Sequence, residues 1–260
     1  MRTRTVKSHI SALLSKNKRE DNRKFDEFRN ISIDVNPIPR AHGSCKVKLG
    51  ETEVIVGVKL DVGEPFPDTP NEGVLIVNAE LGPLASPEFE SGPPRENAIE
   101  LARVIDRGIR ESKCIDFEKL CIKEKEKVWM LFIDVYPIND SGNLLDASAL
   151  AAIIALKNAL LPKYDKKEEK VLYKEFTKKK LPLTKTPIQC TYAKINGSII
   201  LDPSKREEDS LDSRLSISIL ESGNICAMQK GEVGTFTDKE ILDLVEKAIK
   251  KSKDLRKLVK

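Results

Sequence analysis

The run Cys45-Lys46-Val47-Lys48-Leu49-Gly50-Glu51-Thr52-Glu53-Val54-Ile55-Val56-Gly57-Val58 decides the fold. Cys45, Val47 and Leu49 point one way and Lys46 and Lys48 the other; Gly50-Glu51 interrupts, and Val54, Val56 and Val58 resume the apolar face. Alternation with period two on both sides of a short Gly-containing break predicts a β-hairpin with one buried face. Downstream, 74–79 is an apolar run that reads as a strand, 82–94 as a Pro/Gly-rich loop, and about 95–112 as a helix. The nearly continuous apolar run 128–135 predicts a strand buried on both faces and stopped by Pro137. A helix over about 145–160 is rich in Ala, which permits close packing, and the charged stretch 163–185 reads as a long linker.

The order then recurs. Residues 188–195, the turn Asn196-Gly197 and 198–201 form a second predicted hairpin, followed by strands at 214–220 and 225–230 and a helix from about Thr237. Hairpin, further strands and helix at both ends of the chain predict two α+β units of similar design packed together. Ahead of them, Val6, Ile10, Leu13 and Leu14 fall at helical spacing among basic residues, predicting a short amphipathic helix docked on the body or on a neighbour. The expected organisation is thus this helix over 1–20, a first half with its charged linker over 21–185, and a second half with a C-terminal helix and basic tail over 186–260.

Composition excludes several classes. At 40% hydrophobic and 33% charged residues, with 13 Gly and 14 Pro in 260, the chain is neither collagen-like nor low-complexity and can bury a core. Its longest uninterrupted apolar run, 149–156, is far shorter than the ~18 residues that cross a bilayer, so no membrane partner is expected. Cys45, Cys114, Cys121, Cys190 and Cys226 never form a C-x-x-C pair and His9 and His42 are the only imidazoles, a poor basis for a zinc site or disulfide framework. Unpaired thiols suit the reducing cytosol.

The net charge of +4 hides segregation. Residues 1–24 carry eight basic and two acidic side chains, whereas 61–100 carry nine carboxylates against the single Arg95 and should repel a polyanion. Segments 163–180 and 246–260 are lysine-rich, with few interleaved aromatics to stack on bases. On the helix near 95–112, Ala98, Ala102, Ile105 and Ile109 share one stripe at ~100° per residue, and Arg103, Arg107 and Arg110 lie opposite. Asp106 is placed to pair with Arg110. Arg103 and Arg107 form a like-charge i,i+4 pair that mildly opposes the helix, so something outside must compensate it: phosphate oxygens, or ion pairs to Glu96, Glu100 or a partner subunit.

Several separated motifs agree in order with a known family. Asp21-Asn22-Arg23 through Arg29-Asn30-Ile31, Ala41-His42-Gly43-Ser44-Cys45 and Gly50-Glu51-Thr52-Glu53-Val54 resemble the opening of the ribonuclease PH family, and the likeness runs from about residue 21 to 250. Glu96-Asn97, Leu101-Ala102-Arg103-Val104-Ile105-Asp106-Arg107 and Gly142-Asn143-Leu144-Leu145-Asp146-Ala147 are similar, within it, to the non-catalytic ring subunits of the archaeal exosome. The resemblance implies an α+β, ribonuclease PH-like fold (ribosomal protein S5 domain 2-like) of two similar ββαβα halves. It also implies a ring of alternating PH-like subunits in heterodimers, exosome cap RNA-binding proteins as further partners, and 3′ to 5′ phosphorolysis of single-stranded RNA.

Two departures from active members bear on this chain's share. Active members hold inorganic phosphate with a Gly-Ser/Thr-Arg turn at a helix start, where backbone N–H groups and a guanidinium bind the anion; here the turn is Gly142-Asn143-Leu144. They also carry two aspartates a few residues apart. Asp209 occupies the first position and the second falls at or near Arg214, unless a one-residue shift lets Asp212 serve. The resemblance therefore implies no catalytic residue, metal or cofactor for this chain, with Arg103, Arg107 and Arg110 as the RNA-binding candidates acting beside a catalytic partner's site. A self-sufficient phosphorolytic exoribonuclease using Asp209 and Asp212, and a ring member with no RNA contact, remain as alternatives.

Overall fold

A computed structural model describes residues 2–165 and 168–259. In chain order the elements are α1 (Arg2–Leu14), β1 (Ile31–Val35), β2 (Gly43–Leu49), β3 (Thr52–Gly63), β4 (Val74–Ala79), α2 (Glu96–Arg110), β5 (Cys121–Lys123), β6 (Lys127–Asn139) and α3 (Leu144–Asn158). After these come β7 (Leu160–Asp165), β8 (Lys170–Lys180), β9 (Ile188–Ile195), β10 (Ser198–Leu201), α4 (Lys205–Glu208), β11 (Ser213–Ile219), β12 (Ile225–Gly231) and α5 (Asp238–Arg256).

The hairpin at 45–58 forms as read, with Val47 opposite Val54 and Cys45 opposite Val56. It belongs to a sheet of order β1-β2-β3-β6-β4, with β5 on β6, in which β4 alone runs parallel to its neighbour. The second sheet has the order β10-β9-β11-β12 and is antiparallel throughout. The succession β2, β3, α2, β6, α3 recurs as β9, β10, α4, β11, α5 with β12 added, which makes the fold α+β with two related but unequal halves.

Helix α3 lies between the two sheets, and every residue from Leu150 to Leu156 is buried. Its alanines make this possible. At Gly43 of β2 an added Cβ would stand 2.4 Å from the Ala155 carbonyl oxygen and 2.8 Å from the Ala159 Cβ, so neither side of this contact tolerates a larger group. Helix α1 docks on the second sheet, with Ile10 and Leu14 buried against Ala193, Ile195 and Ile200.

Three local expectations are corrected. Strand β6 buries one face, with Trp129, Leu131, Ile133 and Val135 in the core, while on the other face Val128 is buried but Met130, Phe132 and Asp134 are only partly covered and Tyr136 is exposed. Its apolar run reflects an outer face that is apolar without being enclosed. Pro137 does not stop the strand, because β4 leaves β6 at Val135 and a bulge opposite Glu53/Val54 absorbs the proline. The stretch 163–185 is no linker for most of its length: β7 and β8 form an antiparallel hairpin whose Leu161, Tyr164 and Val171 pack on the main core, with Tyr164 edge-on to Trp129. Lys163, Lys170, Lys178, Lys179 and Lys180 are exposed along these strands, Lys163 paired with Glu175 at 2.9 Å.

Candidate functional site

The stripe that seats α2 is broader than the spacing suggested. Ala98, Ile105 and Ile109 are buried as expected, Leu101, Val104 and Gly108 join them, and Ala102 is only partly covered. The helix lies over β4 with α3 and β12 on its flanks, so more than one narrow line of residues is enclosed. Arg103, Arg107 and Arg110 are all exposed.

Their surroundings separate them. Arg110 grips Asp106 with two bonds, Nε to Oδ2 at 3.0 Å and Nη2 to Oδ1 at 2.6 Å, and also donates to the Leu75 carbonyl at 3.1 Å. It is committed within the chain. Arg107 has one bond, Nη1 to Gln229 Oε1 at 3.2 Å, and Arg103 makes no hydrogen bond or ion pair with a described residue. Glu100 does not compensate them: its Oε1 accepts from Arg214 Nη2 at 2.6 Å. The like-charge pair Arg103/Arg107 thus stands on the surface without an acid of its own.

At the start of α3, Gly142 and Asn143 both have positive φ, +89° and +55°. They lie at the N-terminus of a helix of 15 residues, where free backbone N–H groups suit an anion. Gly142 has no alternative, since a Cβ there would lie 2.4 Å from the Lys205 nitrogen. The Asn143 side chain caps α3 through Asp146 N and donates Nδ2 to Asp202 Oδ1 at 2.8 Å. Asp202, fully buried, binds Arg29 through both carboxyl oxygens and Arg23 through one, and Arg29 reaches on to the Ser141 and Gly142 carbonyls at 2.8 and 2.9 Å. The motif residues Arg23 and Arg29 are therefore the clamp that shapes this turn. Leu144 packs against the core.

The carboxylates on α4 and just beyond it are divided among separate partners. Asp209 Oδ1 receives Lys205 Nζ at 2.6 Å, and Asp212 receives Lys7 Nζ of α1 at 2.6 Å and the Asn196 N–H at 2.6 Å. The Lys7 ammonium beside it holds Asp212 below its ordinary pKa. Arg214 lies mostly buried on β11, turned to Glu100. Sequence reasoning missed α4 itself, though Ser204-Lys205-Arg206-Glu207 carries its capping-box signature. It also missed Arg19, wholly buried and doubly bonded to Glu207, for which composition offers no signal.

Residues 27–162 match the first domain of the 3′ exoribonuclease family and residues 185–251 match its second domain. The chain belongs to this ribonuclease PH family. It is 48% identical over 246 residues to the exosome complex component Rrp42 of Methanothermobacter thermautotrophicus, spanning 95% of this chain and 91% of that one. Identity to the Rrp42 component of Thermococcus kodakarensis is 49% over 257 residues, covering 98% and 94%. A solved structure of the Archaeoglobus fulgidus exosome, with RNA bound to the active site, contains a chain that superposes with a TM-score of 0.91 at 45% identity, covering 99% of both chains. The ribonuclease PH motifs can accordingly be placed on the fold. The turn Gly142-Asn143-Leu144 opens α3 with Leu144 packed on the core, and Arg214 on β11 is paired with Glu100. Among the described residues no helix is long and apolar enough to cross a membrane.

Proposed function

We propose that this chain is a non-catalytic ring subunit of an archaeal exosome, which structures the active site of a catalytic PH-like partner and positions single-stranded RNA for 3′ to 5′ phosphorolysis. The observation that carries this reading is the state of the phosphate turn. Leu144 is folded onto the core where a guanidinium is required, and the cations nearby are committed elsewhere: Arg29 to Asp202 and the turn's carbonyls, Lys205 to Asp209 and Glu88, and Arg214 to Glu100. Arg214 cannot act as the second acid.

What the chain offers is a surface. Arg103 has no partner within the described residues and Arg107 has one neutral partner, so both can bind backbone phosphates of the RNA 3′ end across an interface. Such contacts read no sequence and keep the terminal linkage aligned with a phosphate held by the partner. Arg110 serves α2 itself. The setting is a trimer of heterodimers with cap RNA-binding proteins above it, in the cytoplasm. The autonomous reading is disfavoured by Lys205 and Lys7, which hold Asp209 and Asp212 apart in separate ion pairs.

The test is incubation with single-stranded RNA, Mg²⁺ and phosphate. The isolated chain releases no nucleoside diphosphate, and adding an active PH-like partner turns release on; release by the isolated chain that Asp209→Asn abolishes would establish the alternative. RNA crosslinked to the assembled ring should map to α2, and an intact ring with no adduct there would leave the two arginines as interface ion-pair formers.

A further inference from the structure

The two turn amides at the head of α3 are already bonded to the protein's own carboxyls. Gly142 N donates to Asp140 Oδ1 at 3.0 Å, and Asn143 N donates to Glu208 Oε1 at 3.2 Å. Asp140 is two residues away, an ordinary local turn contact. Glu208 comes from the other half of the molecule, the last residue of α4, and its approach is enforced. The Lys205 N–H bonds the Ser141 carbonyl at 2.9 Å, so the first turn of α4 sits directly on the Gly142 turn. Glu207, one residue before Glu208, is anchored to the buried Arg19 by bonds of 2.6 and 2.9 Å and closes the capping box on Ser204 N at 2.8 Å. With Glu207 fixed on one side of this single helical turn, Glu208 has to face the head of α3.

We infer that Glu208 is a built-in plug: its carboxyl supplies the oxygen that an oxyanion would bring to the Asn143 amide, and so closes the turn to inorganic phosphate independently of the missing arginine. This deepens the non-catalytic reading and rests on it. A phosphate entering here would have to displace Glu208 from Asn143 and then lie beside Asp140, with Asp209 and Glu88 drawn in by Lys205. Those carboxyls would repel it. The positive charges nearby are committed, Lys205 to Asp209 and Glu88 and Arg214 to Glu100. Burial, then the neighbouring Asp140, push the Glu208 carboxyl up to about 7, as a group held among like charges should behave.

The plug is tested by titrating inorganic phosphate into the full chain, followed by ³¹P line width, for the wild type, Leu144→Arg, Leu144→Arg/Glu208→Ala and Leu144→Arg/Glu208→Gln. Restoring the arginine alone should not create a site. The double variant with Ala should bind phosphate at least about tenfold more tightly than Leu144→Arg, while the Gln variant, which keeps the acceptor oxygen, should stay as weak as Leu144→Arg. Equal affinity of Leu144→Arg and the Ala double variant would overturn the plug, as would a Gln variant that binds as tightly as the Ala one. Should the Ala variant fail to fold, amide exchange in the wild type decides: protection of the Asn143 N–H that follows Glu208 protonation supports the plug, and exchange at the rate of a free amide overturns it. Phosphate binding by the wild type would sink the non-catalytic reading too, whereas tight binding by Leu144→Arg alone sinks only the plug.

Discussion

Helices α2 and α3 both pack on the first sheet, and they treat charge in opposite ways. Helix α2 leaves Arg103 and Arg107 on the surface with almost nothing to hold, whereas at the head of α3 both turn amides are taken by internal carboxyls. The first is a cationic face that needs an outside anion. The second would suit an anion and has been satisfied from within. On the proposed reading, a subunit that positions RNA without doing chemistry uses the first and is better without an open version of the second.

The clamp beneath the α3 turn gives the largest expected effect. Asp202→Ala removes the carboxylate of the largely buried Arg29 and should destabilise the chain by about 3–5 kcal/mol in urea unfolding. A loss below about 1 kcal/mol would mean that the turn holds its shape without the clamp. The next effect is pH-dependent. With Glu208 at about 7 in the folded chain against 4.5 when unfolded, the fold binds the extra proton between these values, so this group's contribution is fully present below about 4.5 and is lost as pH rises through 7. Burial and then Asp140 raise that folded value, and Arg214, the Asn143 amide and Lys205 oppose it. Glu208→Gln, which mimics the protonated form, should therefore be more stable than the wild type by about 1–3 kcal/mol at pH 8 and indistinguishable from it near pH 4. A constant offset across that range would contradict the assignment.

On the α2 side the readout is RNA. Arg103→Glu combined with Arg107→Glu should weaken binding by the assembled ring about tenfold at low salt and reduce the slope of log affinity against log salt by roughly 0.7 per lost contact, leaving the fold within about 0.5 kcal/mol. Unchanged binding and turnover would make the two arginines structural. The smallest effect belongs to Arg110→Ala, which should lower stability by under about 1 kcal/mol and leave RNA binding as it was; an RNA defect equal to that of Arg103 would erase the difference between free and committed guanidinium groups.

Much of this was legible in one dimension. Alternation around Gly50-Glu51 and Asn196-Gly197 specifies both hairpins, because side chains of adjacent strand residues must leave on opposite faces. The stretch 163–185 misled because a lysine-rich surface strand and a solvated linker share a composition, and only the packing of Tyr164 and Val171 tells them apart. The absence of arginine at Leu144 and of an acid at Arg214 is a matter of residue identity, and so is the sign of the charge on α2. Which arginines are free is not: Arg110 is bound and Arg103 has no partner among the described residues because Asp106 lies one helical turn before the first, while Glu100, three residues before the second, is claimed by Arg214 more than a hundred residues away. Occupation of the α3 turn by Glu208 is likewise decided in three dimensions. A hydrogen bond needs atoms within about 3 Å, and only folding brings residues 143 and 208 that close.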